Sequence, residues 1–127
     1  MSTLVIVGAQ WGDEAKGKMV DVLADDADLV VRYSGGNNAG HTVITGGKTF
    51  KFQLLPAGII HKNCVSVLGG GMAICPKGLI DEINTTKKQQ SELGTLYVSA
   101  AAHVVFPYHR LLDRLEEEAR GENKIGT

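Results

Sequence analysis

Residues 4–23 read LVIVGAQWGDEAKGKMVDVL, and this stretch decides the fold. The short, continuous apolar run at residues 4–7 is typical of a buried parallel strand. A glycine-rich loop follows, and apolar residues then recur with helical spacing over residues 18–23. The stretch therefore predicts a strand, a loop and a helix, as at the start of an α/β fold.

The loop fits the pattern G-x-x-x-x-G-K from Gly12 to Lys18, which is the spacing of a phosphate-binding loop. Backbone N–H groups at a helix N-terminus can bind phosphate oxygens, and Lys16 or Lys18 can add positive charge. Met19 stands where a Ser or Thr hydroxyl usually binds magnesium, and Asp13 lies inside the loop. Two interpretations of Asp13 stay open: it serves magnesium binding or proton transfer, or it caps the following helix.

Strand and helix patterns alternate along the rest of the chain. Strands are predicted at residues 29–32, 65–68 and 95–106, a hairpin over residues 42–55 about Gly46 and Gly47, and helices at residues 77–86 and 107–120. The glycines at 69–71 either approach a ligand or allow two elements to pack closely. We expect one α/β domain over residues 1–127, with a mainly parallel sheet, flanking helices and a β-hairpin, and with the phosphate-binding loop after the first strand.

Composition limits the possible functions. The 127 residues are 43% hydrophobic and 21% charged, which suits one globular domain with a core. The formal net charge of −1 gives no general attraction to nucleic acid or to an anionic membrane. Because the sequence contains neither a signal-type segment nor an apolar run of about 20 residues, we expect a cytoplasmic protein. Cys64 and Cys75 lack metal-ligand spacing and are predicted to be reduced, structural thiols.

A second candidate loop, YSGGNNAGHT at residues 33–42, ends near His41. Because it follows a predicted strand, His41 can lie beside the first loop at the carboxyl ends of neighbouring strands. A histidine there can donate a hydrogen bond to a phosphoryl group during its transfer. The alternative is a solvated histidine in a surface turn.

Four segments together resemble the N-terminal part of the adenylosuccinate synthetase family. They are QWGDEAKGK at 10–18, VVRYSGGNNAGHT at 30–42, LLPAGII at 54–60 and ARGENKIGT at 119–127. Their order and spacing extend the resemblance over essentially the whole chain. The resemblance implies a cytoplasmic, homodimeric ligase that uses GTP and Mg²⁺ to join IMP and L-aspartate in AMP biosynthesis. It implies that GTP first phosphorylates the 6-oxygen of IMP and that the aspartate amine then displaces the phosphate.

The resemblance also implies roles for individual residues. Asp13 matches the catalytic base that takes the N1 proton of IMP, His41 the catalytic acid, and Lys16 the lysine that neutralises the γ-phosphoryl oxygens. Magnesium ligands are implied at Asp13 and at the carbonyl of Gly40. The implied GTP phosphate-binding residues are Gly12, Asp13, Glu14, Ala15, Lys16, Gly17, Lys18, Gly40, His41 and Thr42. The implied IMP-binding residues are Asp13, Lys16, Asn38, Ala39, Gly40 and His41.

The chain departs from the family pattern in two ways. Ala15 stands where the family usually has Gly, and an Ala fits there only if the backbone avoids a positive φ. Family members are also much longer, with guanine and aspartate recognition expected beyond these residues. We therefore expect the 127-residue chain to be inactive alone. A short, non-catalytic module for nucleotide binding or assembly is the alternative. Two further expectations are that Asp13 favours IMP over guanine nucleotides and that residues 34–42 are mobile without ligand.

Overall fold

The computed structural model describes residues 2–9, 16–38 and 40–125. Its strands are β1 (Leu29–Gly35), β2 (His41–Thr45), β3 (Lys48–Phe52), β4 (Val65–Ile74), β5 (Thr95–Val98) and β6 (His103–Val104). Its α-helices are α1 (Lys16–Ala24), α2 (Pro76–Gln89) and α3 (Pro107–Arg120). Short 3₁₀ helices cover Ala57–Ile60 and Gly121–Asn123. No helix in the described ranges is long and apolar enough to span a membrane.

The main sheet is parallel, as predicted. β4 lies between β1 and β5, and β6 pairs with the later part of β4. Leu29 of β1 and Thr95 of β5 both face Val65, which sets the register of the three strands. Connections through the hairpin and through α2 allow these strands to run in the same direction.

The predicted hairpin is confirmed. β2 and β3 are antiparallel, from His41 opposite Phe52 to Thr45 opposite Lys48. Gly46 and Gly47 form the turn with φ values of 55° and 72°, which a residue without a side chain adopts at little cost.

The core lies between one face of the sheet and the layer formed by the hairpin, the first 3₁₀ helix and α2. One cluster contains the buried residues Val43, Phe50, Phe52, Leu55, Ala57, Ile59 and Ile60. A second cluster contains Leu54, Leu68, Met72 and Ile74. Leu79 and Leu96 pack against both clusters, so α2 and the sheet share one continuous apolar interior. Cys64 and Cys75 are free thiols, as predicted.

The predicted strand at residues 4–7 was wrong for this structure. Residues 2–9 lie outside the helices and strands, and Leu4 and Val5 are each 70% exposed. A buried strand requires neighbouring backbone groups and cover on its faces, and an apolar run does not specify which elements supply them. The phosphate-loop motif therefore follows an extended segment here, and α1 begins at Lys16.

Two other boundaries also differ from the prediction. β4 continues through residues 69–71 to Ile74, where a loop was predicted. These glycines allow close packing: a Cβ added at Gly71 would lie 2.6 Å from the carbonyl oxygen of Tyr33. The single strand predicted over residues 95–106 is two short strands, because Ser99 begins a turn in which its hydroxyl accepts the N–H of Ala101.

The helix predictions at 77–86 and 107–120 are confirmed, although α2 is longer than predicted at both ends. α3 ends at Gly121, whose φ of 55° suits a glycine C-cap. Arg114 and Glu118 form an ion pair one turn apart on α3, with 3.6 Å between Arg114 Nε and Glu118 Oε1.

Candidate functional site

The candidate site lies where the start of α1 meets the start of β2. Residues 36–40 connect the carboxyl end of β1 to β2. The residues after a parallel strand lie at the sheet edge where ligands bind in α/β proteins. Of the predicted site residues, the structure describes Lys16, Gly17, Lys18, Asn38, Gly40, His41 and Thr42. Gly12, Asp13, Glu14, Ala15 and Ala39 lie outside the described residues.

Gly17 brings the two candidate loops into contact. A Cβ added at Gly17 would lie 2.6 Å from Cδ2 of His41, much closer than side-chain atoms pack. The imidazole of His41 therefore lies directly against the first turn of α1. This supports the predicted proximity of His41 to the phosphate-loop motif and argues against a solvated histidine in a surface turn.

His41 is held by β2 and by an aromatic neighbour. Its ring centroid lies 5.5 Å from that of Phe52, its partner across the hairpin. Its Nε2 is buried and has no hydrogen-bond partner among residues 2–9, 16–38 and 40–125. A buried nitrogen with no partner carries a free-energy cost that a hydrogen bond to a ligand or to a neighbouring group would remove.

The electrostatic environment favours a neutral His41. Burial lowers the pKa of His41, the positive charge of Arg32 lowers it further, and the negative charge of Asp21 opposes both effects. A neutral imidazole carries one N–H and can donate one hydrogen bond to an oxygen without bringing a full charge.

The other described site residues surround His41 at the surface. Lys16 and Lys18 are exposed on the first turn of α1, where the helix dipole adds to their positive charge. Asn38, Gly40 and Thr42 are exposed on the second loop. Lysines at a helix N-terminus beside an exposed loop suit an anionic ligand such as a phosphate.

The oxygen groups predicted to bind magnesium are only partly described. Gly40 is exposed, and a Cβ added to it would lie 3.1 Å from the carbonyl oxygen of Phe52. Within the described ranges, no three His, Cys, Asp or Glu side chains are close enough together to hold a metal ion. A carbonyl oxygen of Gly40 with a carboxylate from Asp13 is a donor set that suits Mg²⁺, which prefers few protein oxygens together with phosphate.

A cavity of about 530 Å³ opens beside this loop. The loop and hairpin contribute Gly40, His41, Thr42 and Lys51 to its wall, and α2 contributes Asp81 and Glu82. Three of the predicted phosphate-binding residues, Gly40, His41 and Thr42, therefore face a space large enough for part of a nucleotide.

Sequence reasoning missed two charged residues that touch the loop region. Arg32 donates to the carbonyl oxygens of Gln53 and Gly36, the latter at 3.4 Å. Glu82 accepts the backbone N–H groups of Gln53, Leu54 and Leu55. A signal was present: Arg32 occupies an inward position of an alternating strand, and Glu82 lies on the helical face that also carries Leu79 and Ile83.

His61 is another missed contact. Its Nε2 lies 3.2 Å from Oδ1 of Asp21 and its Nδ1 lies 3.4 Å from Oδ1 of Asp25. His61 therefore joins the last part of α1 to the end of the first 3₁₀ helix. The two carboxylates lie four residues apart, Asp21 on α1 and Asp25 just after it, but no sequence pattern pointed to their partner.

Comparisons with known proteins identify the family of this chain. The adenylosuccinate synthetase family model matches residues 5–127. The adenylosuccinate synthetase of Halothermothrix orenii is 55% identical over 127 residues, which are all of this chain and 30% of that protein. The adenylosuccinate synthetase of Desulfitobacterium hafniense is 53% identical with the same coverage. The chain thus spans about 30% of the length of the curated relatives it matches.

Two solved structures are similar to the fold. The fully ligated adenylosuccinate synthetase of Plasmodium falciparum superposes with a TM-score of 0.80 and 42% identity, covering 92% of this chain and 27% of that one. The succinoaminodeoxyadenylate synthetase of cyanophage S-2L, bound to dGMP and to dATP as an energy donor, gives a TM-score of 0.64 and 28% identity. It covers 88% of this chain and 31% of its own. The match to the family model, the identity over the whole chain and the shared fold show that this chain belongs to the adenylosuccinate synthetase family and corresponds to its N-terminal part.

Proposed function

We propose that residues 1–127 supply the phosphoryl-transfer part of an adenylosuccinate synthetase, which joins IMP and L-aspartate at the expense of GTP. The observation that carries the proposal is the contact between Gly17 and His41, because it joins the helix after the phosphate-loop motif to an imidazole. Lysines and a neutral histidine at one helix N-terminus are groups that bind and polarise a phosphoryl group.

The roles of the individual residues form part of the proposal. Asp13 takes the N1 proton of IMP, so that the 6-oxygen becomes a nucleophile towards the γ-phosphate of GTP. Lys16 offsets charge on the γ-phosphoryl oxygens, and His41 donates a hydrogen bond to an oxygen that gains charge during transfer. Asp13 and the carbonyl of Gly40 would hold Mg²⁺, which supplies charge neutralisation on the phosphates.

The remaining contacts complete the proposed site. The GTP phosphates bind the loop and the two lysines of α1, with Thr42 on the same side. Asn38 and Ala39 face IMP. For the complete enzyme, the proposal also includes L-aspartate as a substrate, a homodimer and a cytoplasmic location.

The test is a chimera in which residues 1–127 replace the aligned part of the Halothermothrix orenii protein. We expect the chimera to form adenylosuccinate from IMP, L-aspartate and GTP with Mg²⁺. Asp13→Asn in the chimera should lower kcat by about 10²–10⁴-fold, the usual contribution of a general base. Asp25→Asn, an exposed carboxylate just after α1, is the matched control and should leave kcat unchanged. An inactive chimera beside an active parent protein contradicts the proposal.

The choice of purine is tested with the same chimera. We propose IMP because of Asp13, whereas the cyanophage relative has dGMP bound. Parallel assays with IMP, GMP and dGMP should give product with IMP alone. Turnover of dGMP at a comparable kcat/KM contradicts the assignment of IMP, and leaves the phosphoryl-transfer role in place.

The isolated 127-residue chain is expected to form no adenylosuccinate, since the relatives use more than three times this length. Product formation by the purified chain above the rate without protein contradicts this expectation. The alternative of a non-catalytic module predicts nucleotide binding by the chain together with an inactive chimera.

A further inference from the structure

The backbone just after β3 is held by a carboxylate from α2. Glu82 accepts the N–H groups of Gln53 at 2.8 Å, Leu54 at 3.0 Å and Leu55 at 3.2 Å. These residues follow the last hairpin pair, His41 with Phe52, so β2 does not extend to them. Three consecutive N–H groups directed to one point form an anion-binding concavity, and here the protein's own carboxylate occupies it.

Arg32 holds the same backbone through its carbonyl. Its guanidinium donates to the carbonyl oxygen of Gln53 and also to that of Gly36, at 3.4 Å. Gln53 therefore lies between a carboxylate at its N–H and a guanidinium at its C=O. Burial lowers the pKa of Arg32 and the charge of Glu82 opposes that effect, so the two side chains also interact through space.

The segment of residues 36–42, of which the structure describes 36–38 and 40–42, rests on this arrangement at both of its ends. Gly36 is buried and its carbonyl accepts from Arg32. Near the other end, a Cβ added at Gly40 would lie 3.1 Å from the carbonyl oxygen of Phe52 and 3.6 Å from Cγ of Gln53. His41 also pairs with Phe52 across the hairpin, so residues 52–53 lie beside both Gly40 and His41.

α2 also lies close to the segment itself. A Cβ added at Gly78 would lie 3.1 Å from Nδ2 of Asn37, and Gly78 precedes Glu82 by one helical turn. The position of α2 is fixed by Leu79 and Ile83, which pack against the core on the same face as Glu82. The helix thus connects a rigid interior to the loop.

From these contacts we propose that Glu82 and Arg32 are positioning residues that hold residues 36–42, and with them His41, through the backbone of residues 53–55. This proposal about Glu82 and Arg32 rests on the proposed function in one respect: the role of residues 36–42 in nucleotide binding. Neither side chain needs to touch a substrate. The loop is glycine-rich and has a large backbone entropy to lose, so the two charged anchors would limit the ligand-free mobility that its composition predicts.

The first experiment measures backbone amide hydrogen exchange in the ligand-free chain. Glu82→Gln keeps the shape of the side chain and removes its charge. We expect exchange at residues 53–55 and 36–42 to accelerate by about tenfold or more, since hydrogen bonds to charged groups are the stronger ones. Asp81→Asn is the matched control, because Asp81 lines the same cavity and its side chain is not among the acceptors for residues 53–55.

A second variant distinguishes a local effect on the loop from general unfolding. Arg32→Lys keeps the positive charge but cannot reach two carbonyls with a planar fork. It should accelerate exchange at residues 36–42 while the N–H groups bonded to Glu82 stay protected. Exchange at residues 66–68 of β4, which pair on both edges, should stay at the wild-type rate in both variants. Unchanged exchange at residues 36–42 in Arg32→Lys overturns the proposal, as does an unchanged rate there in a folded Glu82→Gln protein.

Nucleotide titrations separate this proposal from the proposed function. GTP with Mg²⁺, and IMP separately, are titrated into the wild-type chain and both variants while the amide resonances of residues 36–42 are followed. We expect at least a severalfold loss of affinity in each variant. The proposed function fails if the chimera is inactive, whereas the exchange rates decide whether Glu82 and Arg32 position the segment, also when the wild-type chain binds neither nucleotide.

Discussion

At the scale of single residues, the site depends on the absence of a side chain at Gly17. The imidazole of His41 occupies the space that a Cβ there would need. Helix propensity favours Ala over Gly inside a helix by about 1 kcal/mol, so Gly17 destabilises α1 by about that amount. In return, the missing side chain lets the imidazole of His41 pack against the helix.

Gly17→Ala should displace His41 from α1. We expect the added methyl group to destabilise the chain by about 1–3 kcal/mol, the usual cost of overpacking, in spite of the better helix propensity. Urea unfolding measures the stability, and the ring resonances of His41 report the displacement. Val22→Ala, at a 61% exposed position of the same helix, is the control and should change neither. Unshifted His41 resonances in Gly17→Ala would contradict the predicted contact.

The pH dependence of stability follows from the lowered pKa of His41. Burial holds this pKa below the ordinary value of 6.5, so the unfolded chain binds a proton at this residue more readily than the folded chain. The contribution of the neutral imidazole is complete above about pH 6.5 and is lost as the pH falls below that value. The free energy of unfolding, measured by urea between about pH 7.5 and about pH 5, should therefore fall more in the wild type than in His41→Gln. Equal slopes in the two proteins would contradict the prediction.

Cys64 should react slowly with thiol reagents. The residue is only 2% exposed, and burial raises the pKa of its thiol, so little thiolate is present at neutral pH. Alkylation followed by peptide mass spectrometry should show Cys75 modified first in the native chain and both cysteines modified in urea. Modification of Cys64 at the rate of a free thiol under native conditions would show that the region around it opens readily.

At the scale of elements, local sequence signals predicted the turns and helices well. They did not predict how distant elements pack against one another. The Gly46–Gly47 turn and Pro107–Arg120 could be predicted because turn chemistry and helical periodicity lie within a few residues. Residues 4–7 have the composition of a buried strand, yet pairing and cover depend on distant segments. The site shows the same division: His41 stands out as a histidine after a glycine-rich turn, whereas the partners of Glu82, the N–H groups of residues 53–55, become apparent only when α2 packs beside them.

The contact between β1 and β4 gives an element-scale prediction. Gly71 faces Ser34 just after a shift in register, and a Cβ there would meet the carbonyl oxygen of Tyr33 at 2.6 Å. Gly71→Ala should push the strands apart and cost about 1–3 kcal/mol in urea unfolding. At Gly70 the nearest atom is Cβ of Ala101, at 3.3 Å, and Gly70→Ala should cost clearly less. Equal losses in the two variants would mean that glycine entropy, and not strand spacing, sets the effect.

At the scale of the whole molecule, the parallel sheet has one covered and one open face. Side chains on β1 alternate between partly buried and exposed positions. The exposed large side chains on β1 and β5 include Leu29 (53%), Val31 (48%), Tyr33 (61%) and Tyr97 (61%). Parallel sheets are almost always covered on both faces, so this surface is unusual for a stable monomer.

The isolated chain should therefore associate with itself or bind an apolar dye. Sedimentation velocity across a concentration series should show reversible association, and the fluorescent dye ANS should bind to the folded chain. Tyr33→Lys, which places a charge on the open face, should weaken both effects. A monomer at all concentrations that does not enhance ANS fluorescence would contradict this prediction.

The central position of β4 also fixes when the sheet can form during synthesis. Each of the other three parallel strands pairs with β4 and none of them pairs with another. Until Val65–Ile74 has left the ribosome, β1 lacks the parallel partner that it has within the described ranges, whereas the local hairpin of β2 and β3 can already form. Strand pairing across such sequence separations is slow compared with hairpin closure. A nascent chain therefore carries an unpaired β1 through the synthesis of the hairpin and the first 3₁₀ helix, and the emergence of β4 is the event that starts assembly of the sheet.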